Sequence, residues 1–375
     1  MLGAIDLQVI PITFFIVKVH SRCNLNCDYC YEYNLGNSGW KTKPKTMSIA
    51  TFRRLCERIA EHCISDEAFI SFHGGEPLLR SPQFFDEAMT LARSLIPNVK
   101  FGMQSNGTLL TKDYIDVFLK HGLRVGISLD GNVLINDRHR FDHEGNGSFQ
   151  RVMKGLDYLR CNSGRKAWGG ILAVLDVISN PKEQIDFFAE FDAPGIDILE
   201  SDGNWEKLPP GKNSPESTEV GSWLIEAFDY WFKYQSDLPI RRFDEIIEHI
   251  LGGSGSTEYF GVEPANLITI ATDGAYEAVD QIKGAFDGAE VLNLNLYENP
   301  LAEVVLHPSV QERLVGLNAL SDQCLACRHR LTCGGGYYPH RYSNENGFKN
   351  PSIYCADYLI LFDHISACLK DELAS

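Results

Sequence analysis

Cys23-Asn24-Leu25-Asn26-Cys27-Asp28-Tyr29-Cys30 sets three cysteines within eight residues, in the spacing C-x3-C-x2-C. It follows an apolar run, Phe14-Phe15-Ile16-Val17-Lys18-Val19, that reads as a buried strand. The cysteines are therefore expected on a loop at the end of a first strand, where α/β folds place their chemistry. Cysteine thiolates are the usual ligands of iron–sulfur clusters. A cubane cluster has four irons, so three thiolates leave one iron open to a ligand that is not protein. A structural zinc site wants four ligands in paired spacings, which this loop does not supply.

Outward from this loop the pattern alternates. Strands are expected over 68–73, 99–104, 124–129, 169–174 and 196–199. Helices are expected from a cap at Ser48 to about Cys63, over 84–95 and 112–121, and from Ser148. Such alternation means parallel strands with right-handed crossovers. Six units give an α/β fold of the partial (β/α)6, TIM-like barrel type, with ligand loops at the carboxyl ends of the strands. Gly74-Gly75-Glu76-Pro77 ends the second strand. Its glycines let the backbone approach a ligand closely, and Glu76 offers an acceptor for an ammonium group. Alone, Gly-Gly with Pro also describes a plain turn. Ser105, Asn106, Ser128, Asp130 and Arg140 all fall at or just beyond strand ends.

The loop and Gly74-Gly75-Glu76-Pro77 together resemble the signature of the radical S-adenosylmethionine (SAM) superfamily. The resemblance implies that Cys23, Cys27 and Cys30 hold a [4Fe-4S] cluster whose open iron chelates SAM. One electron from the cluster then cleaves SAM to a 5′-deoxyadenosyl radical. It implies SAM contacts at Tyr29, His73, Gly74, Gly75, Glu76, Ser105, Asn106, Ser128, Asp130 and Arg140. Ser128 and Arg140 suit the SAM carboxylate, and Tyr29 the neighbourhood of the adenine.

The chain has 375 residues and a net charge of −16, which argues against a generic nucleic-acid surface. Eleven cysteines, seven of them in two clusters, suit metal ligation in a reducing compartment better than a disulfide framework. No signal peptide or membrane span is read from the sequence, so a cytoplasmic protein with no membrane partner is expected. Cys56 and Cys63 read as buried thiols on a helix face, and Cys161 and Cys368 as bystanders.

Cys324-Leu325-Ala326-Cys327 precedes Cys333, giving C-x2-C-x5-C, with Cys355 22 residues later. By spacing alone, four thiolates suit a cluster and a zinc ion equally. The pattern resembles the C-terminal SPASM extension of peptide-modifying radical SAM enzymes, which favours one auxiliary [4Fe-4S] cluster. A full SPASM domain carries two such clusters. Here Val279 stands where one cysteine is expected, and Gly334-Gly335-Gly336-Tyr337 lacks another. Asp280, after the missing cysteine, matches the candidate base of related sulfatase-maturating enzymes; by residue type alone it reads as a surface or capping aspartate.

The domains expected are an N-terminal extension over 1–13, the radical SAM partial barrel over 14–235, bridging helices and a linker over 236–268, and a SPASM-like domain over 269–375. Residues 14–362 resemble the FxsB-like radical SAM/SPASM maturases. The matches include Val19-His20-Ser21-Arg22-Cys23, Gly126-Ile127-Ser128-Leu129-Asp130-Gly131 with Asn136-Asp137-Arg138-His139-Arg140, Arg242-Phe243-Asp244 and Tyr354-Cys355-Ala356-Asp357. The resemblance implies hydrogen abstraction from a Cβ of a ribosomally made precursor peptide and an aromatic-to-Cβ crosslink, a cyclophane. It implies two partners: a precursor peptide with a leader, and an external electron donor of flavodoxin or ferredoxin type. Only 22 residues precede Cys23, so no N-terminal winged-helix recognition domain is expected. Other radical modifications remain open: an ether or thioether crosslink, epimerisation or side-chain oxidation. So does a non-catalytic zinc- or peptide-binding protein.

Overall fold

A computed structural model describes residues 12–63, 67–161, 163–255 and 257–374. Of the expected N-terminal extension only Ile12 and Thr13 are described, and Ser256 of the linker lies outside the described residues.

Six strands run parallel: β1 (Phe14–His20), β2 (Ala68–Gly74), β3 (Val99–Ser105), β4 (Arg124–Ser128), β5 (Trp168–Val174) and β6 (Ile196–Leu199). Helices α1 (Ile49–His62), α2 (Pro82–Leu95) and α3 (Lys112–His121) connect the first four. Helices α4 (Val133–His139) and α5 (Phe149–Arg160) lie between β4 and β5, and α6 (Pro181–Ala189) between β5 and β6. The starts of α1, α2, α4 and α6 are fixed by Ser48, Ser81, Asn132 and Asn180, whose side chains accept backbone N–H groups of the first turn. Helices α4 and α6 are not legible in the sequence at the level read above.

Under the sheet, Phe72 is stacked with Phe52 and Phe101 and meets Phe85 edge-on, at 5.9, 6.2 and 5.3 Å between ring centres. Phe52, Phe72 and Phe85 are fully buried. Each such side chain contributes roughly 1.5–3 kcal/mol by burial.

The sheet does not stop at the barrel. After α7 (Glu219–Tyr234) and α8 (Arg241–Ile250), β7 (Leu267–Ile270) pairs in parallel with β1. β8 (Ala275–Glu277) and β9 (Val291–Asn295) then add antiparallel. The result is one nine-stranded mixed sheet, ordered β6-β5-β4-β3-β2-β1-β7-β8-β9, which does not close into a barrel. The expected boundary at 268/269 falls inside β7. The hydrogen-bond edge that β1 leaves open is satisfied by chain from the far side of that boundary. The C-terminal helix, Cys355–Ala374, lies against α7.

Candidate functional site

The loops at the carboxyl ends of β1 to β6 enclose one cavity, of about 1100 Å³ including its open mouth. Cys23, Cys27 and Cys30 line it. Their loop is held at both ends. Asn26 N donates to Phe141 O at 2.8 Å, Asp28 N to His139 O at 3.3 Å, and Asn24 Nδ2 to Thr108 Oγ1 at 2.9 Å. Gly74 (φ +127°) lies so close to the strand end that a Cβ there would sit 2.2 Å from His20 O. A Cβ on Gly75 would meet Tyr33 Oη at 2.0 Å. Only glycine fits at these two positions, and the approach brings the second strand's loop onto the cysteine loop.

All ten expected SAM-contact residues line this cavity. Seven of them are hydrogen-bonded to one another or to a neighbouring residue, in contacts that the sequence does not display. The Glu76 carboxylate is buried and accepts from Leu78 N, Ser105 Oγ and Asn106 N at 2.9, 2.8 and 2.8 Å. Burial pushes its pKa up, against those donors. It thus ties the loop after β2 to the loop after β3 as well as facing the cavity. Tyr29 Oη donates to Asp130 Oδ2 at 2.5 Å and accepts from Arg140 Nη1 at 2.8 Å. Arg140 Nε is buried without a partner. Ser128 Oγ accepts from Gln104 Nε2 at 2.9 Å.

Asp280 does not line the cavity. It lies behind the wall and is 2% exposed. Its carboxylate meets Lys18 Nζ at 2.5 Å and Lys283 Nζ at 3.7 Å, accepts from Tyr31 Oη at 2.8 Å, and has His73 Nδ1 at 3.4 Å. It is neither a surface nor a capping residue. Burial opposes its charge, but Lys18 and Lys283 hold its carboxyl far below the usual range. Glu32 and Glu277 share the same two lysines. Two cations against three carboxylates leave one surplus negative charge beside His73. Burial above all lowers the His73 pKa, against the pull of Asp280. Tyr31 and His73 both line the cavity and connect it to Asp280.

Sequence reading missed Lys18, Tyr31, Glu32, Glu200, Asp202, Tyr259 and Lys283. One signal was there: Lys18 interrupts an otherwise apolar strand, and a lysine is rarely buried unpaired.

Cys324, Cys327, Cys333 and Cys355 line a second pocket, with Tyr358 and Phe362. Burial and the neighbouring thiols push Cys333 up to about 12 and Cys355 up to about 11. Such thiols stay protonated in water and give up the proton to a metal. Three thiols in one cavity, with buried unpaired Arg140 Nε beside them, fit a cluster with an open iron and a ligand bearing a carboxylate. The four-thiol pocket fits a fully ligated cluster.

Residues 17–179 match the Radical SAM superfamily. The fold is the radical SAM α/β fold with a SPASM-like C-terminal part. Among curated proteins, the chain is 26% identical to the serine-type anaerobic sulfatase-maturating enzyme of Bacteroides thetaiotaomicron, over 95% of this chain and 90% of that one. It is 25% identical to the cysteine-type enzyme of Clostridium novyi, over 94% of each. Among solved structures, native anSMEcpe with bound AdoMet superposes with a TM-score of 0.81 at 22% identity, covering 96% of this chain and 98% of that one. Streptococcus suis SuiB bound to precursor peptide SuiA gives 0.59 at 16% identity, covering 88% and 72%. Among the described residues no helix is long and apolar enough to cross a membrane.

Proposed function

We propose that this chain is a radical SAM maturase that abstracts a Cβ hydrogen from a ribosomally made precursor peptide and joins that carbon to an aromatic ring. The observation that carries the radical SAM part is the convergence of Cys23, Cys27 and Cys30 with Glu76, Asp130 and Arg140 on one cavity. The peptide part is supported by end-to-end likeness to sulfatase-maturating enzymes and by the likeness of fold to SuiB. The crosslink rests on the dispersed FxsB-like motifs.

In this reading Cys23, Cys27 and Cys30 hold the cluster that supplies one-electron cleavage of SAM to a 5′-deoxyadenosyl radical. Tyr29, Asp130, Ser128 and Arg140 form one side of the SAM site. His73, Gly74, Gly75, Glu76, Ser105 and Asn106 form the other. Forming the carbon–carbon bond and restoring the ring releases one electron and one proton. Reach comes before pKa in choosing the acceptor. Asp280 faces the cavity only through Tyr31 and His73. His73, which lines the cavity, takes the proton, and the Asp280 carboxylate 3.4 Å from its Nδ1 offsets the charge that results. Cys324, Cys327, Cys333 and Cys355 hold the auxiliary cluster as electron acceptor. A flavodoxin- or ferredoxin-type donor supplies the first electron, and the protein works in the cytoplasm.

A second reading, oxidation of a serine or cysteine side chain, is favoured by the likeness to sulfatase-maturating enzymes along nearly the whole chain. Coexpression with small open reading frames from the native neighbourhood, followed by tandem mass spectrometry, separates the two. A crosslink removes two hydrogens and suppresses fragmentation between the joined residues. An oxidised serine also loses two hydrogens but fragments normally and is captured by a hydroxylamine. A peptide of unchanged connectivity that takes up one deuterium from heavy water would end both readings in favour of epimerisation.

A further inference from the structure

The two cysteine sites are separated by a buried charge. Arg242, at the start of α8, is 2% exposed. Its Nε donates to Ile198 O at 3.1 Å and its Nη2 to Glu200 Oε2 at 2.7 Å. Arg242 Nη1 and Glu200 Oε1 have no hydrogen-bond partner, and neither does the Tyr358 hydroxyl. The guanidinium lies 4.5 Å from the ring centre of Tyr259 and 5.0 Å from that of Phe260. Glu200 and Tyr259 are in the wall of the SAM cavity. Phe260 meets Tyr358 and Phe362 edge-on at 5.1 and 5.2 Å, and both of those rings are in the wall of the four-cysteine pocket. Tyr259, Arg242, Phe260 and Tyr358 thus form an unbroken row from one wall to the other.

A buried ion pair with unmet hydrogen-bonding capacity is a poor way to stabilise a fold; apolar residues of similar volume do as well or better. A fixed charge in a low-dielectric interior does, however, act over several ångströms. Cluster potentials respond to local charge and burial.

We propose that Arg242 is a positioning residue that couples the two sites: its charge, offset by Glu200, sets the reduction potential of the cluster held by Cys324, Cys327, Cys333 and Cys355. A change of charge at the Glu200 wall of the SAM cavity is then felt at the second site. This rests on the reading that the four cysteines hold a cluster. A cation nearby favours the reduced, more negative cluster, so its loss lowers the potential, and loss of the anion raises it.

The test is a redox titration of the anaerobically reconstituted enzyme, followed by electron paramagnetic resonance. Added SAM identifies the signal of the first cluster, and the SAM-insensitive signal reports the second. R242Q is expected to shift the second couple negative, E200Q to shift it positive, and R242K to leave it near the wild-type value. A purely structural role would not give opposite shifts. If R242Q does not fold, E200Q carries the test alone: an unmoved couple in E200Q, with the second cluster present, overturns the proposal. Equal shifts of the same sign in both variants also overturn it. Zinc in place of the second signal overturns it too, together with the cluster reading beneath it, and metal analysis tells that failure from the others.

Discussion

Tyr31, one residue past the cysteine loop, donates its hydroxyl to Asp280 at 2.8 Å across 249 positions of sequence. This bond joins the cavity to a buried network of two lysines and three carboxylates from β1, the turn after the cysteine loop, β8 and the segment that follows it. It gives Asp280 access to the cavity without placing it there.

Asp280→Asn should therefore separate radical generation from product formation, whereas His73→Gln, which also alters the proposed SAM site, should lower both. Asp280→Asn is expected to form 5′-deoxyadenosine from SAM and to lose crosslinked peptide at least 100-fold, the scale of general acid–base catalysis, and in His73→Gln the crosslink per 5′-deoxyadenosine formed should fall on the same scale. Liquid chromatography of both products checks this. Full crosslinking by His73→Gln would remove the histidine from the proton path. In Asp280→Asn, Lys18 and Lys283 keep Glu32 and Glu277 as counter-ions, so the destabilisation should stay below the roughly 3–5 kcal/mol of a buried ion pair left without a partner.

The two cysteine sites should titrate separately in metal. Wild type is expected to carry about eight irons after reconstitution, and the Cys23/Cys27/Cys30 triple alanine about four, with loss of 5′-deoxyadenosine. Four irons plus one zinc in the wild type would make the C-terminal site structural.

His139 clamps two loops of the SAM site. Its Nδ1 is 2.9 Å from Asp28 Oδ2, within the cysteine loop, and its Nε2 3.4 Å from Asp176 Oδ2, beyond β5. Asp176 above all, against burial and with help from Asp28, pushes its pKa up to about 9. A histidine titrates near 6.5 in the unfolded chain. The raised value contributes stability that is complete below about pH 6.5 and is lost as pH rises through about 9. The ring is half-exposed, so screening reduces the effect to about 1 kcal/mol. Melting temperature should decline between these pH values in wild type, and the decline should flatten in His139→Gln. Parallel curves would show that the clamp does not carry it.

Lys212 and Asp357 form a fully buried pair at 2.6 Å, which fastens the loop after β6 to the helix that begins at Cys355. Lys212→Met strands the carboxylate and should destabilise by about 3–5 kcal/mol, whereas Lys212→Met with Asp357→Leu should recover much of that loss. Denaturant unfolding of both variants, with iron content as the second readout, checks it. No difference between single and double variant would place the cost elsewhere.

The sequence by itself determined the first six strands and the grouping of the cysteines. Local hydrophobic periodicity places β1 to β6 within a residue or two, because which face a side chain presents depends on its near neighbours. The three-cysteine spacing, Gly74-Gly75-Glu76 and the four later cysteines are local patterns too, read before any contact is known. Only the tertiary structure decided how distant segments meet. β7 extends the sheet from β1, a pairing that periodicity within a four-residue strand does not encode. Asp280 reads as a surface residue by type, yet it is buried because Lys18, Lys283 and Tyr31 converge on it from far along the chain. Arg242 enters the sequence reading only within the Arg242-Phe243-Asp244 match; its place between the two cysteine sites comes from packing α8 against β6 and the C-terminal helix. A charge shows its purpose only where the fold removes water from it and supplies its partner, and that is a property of contacts rather than of spacing.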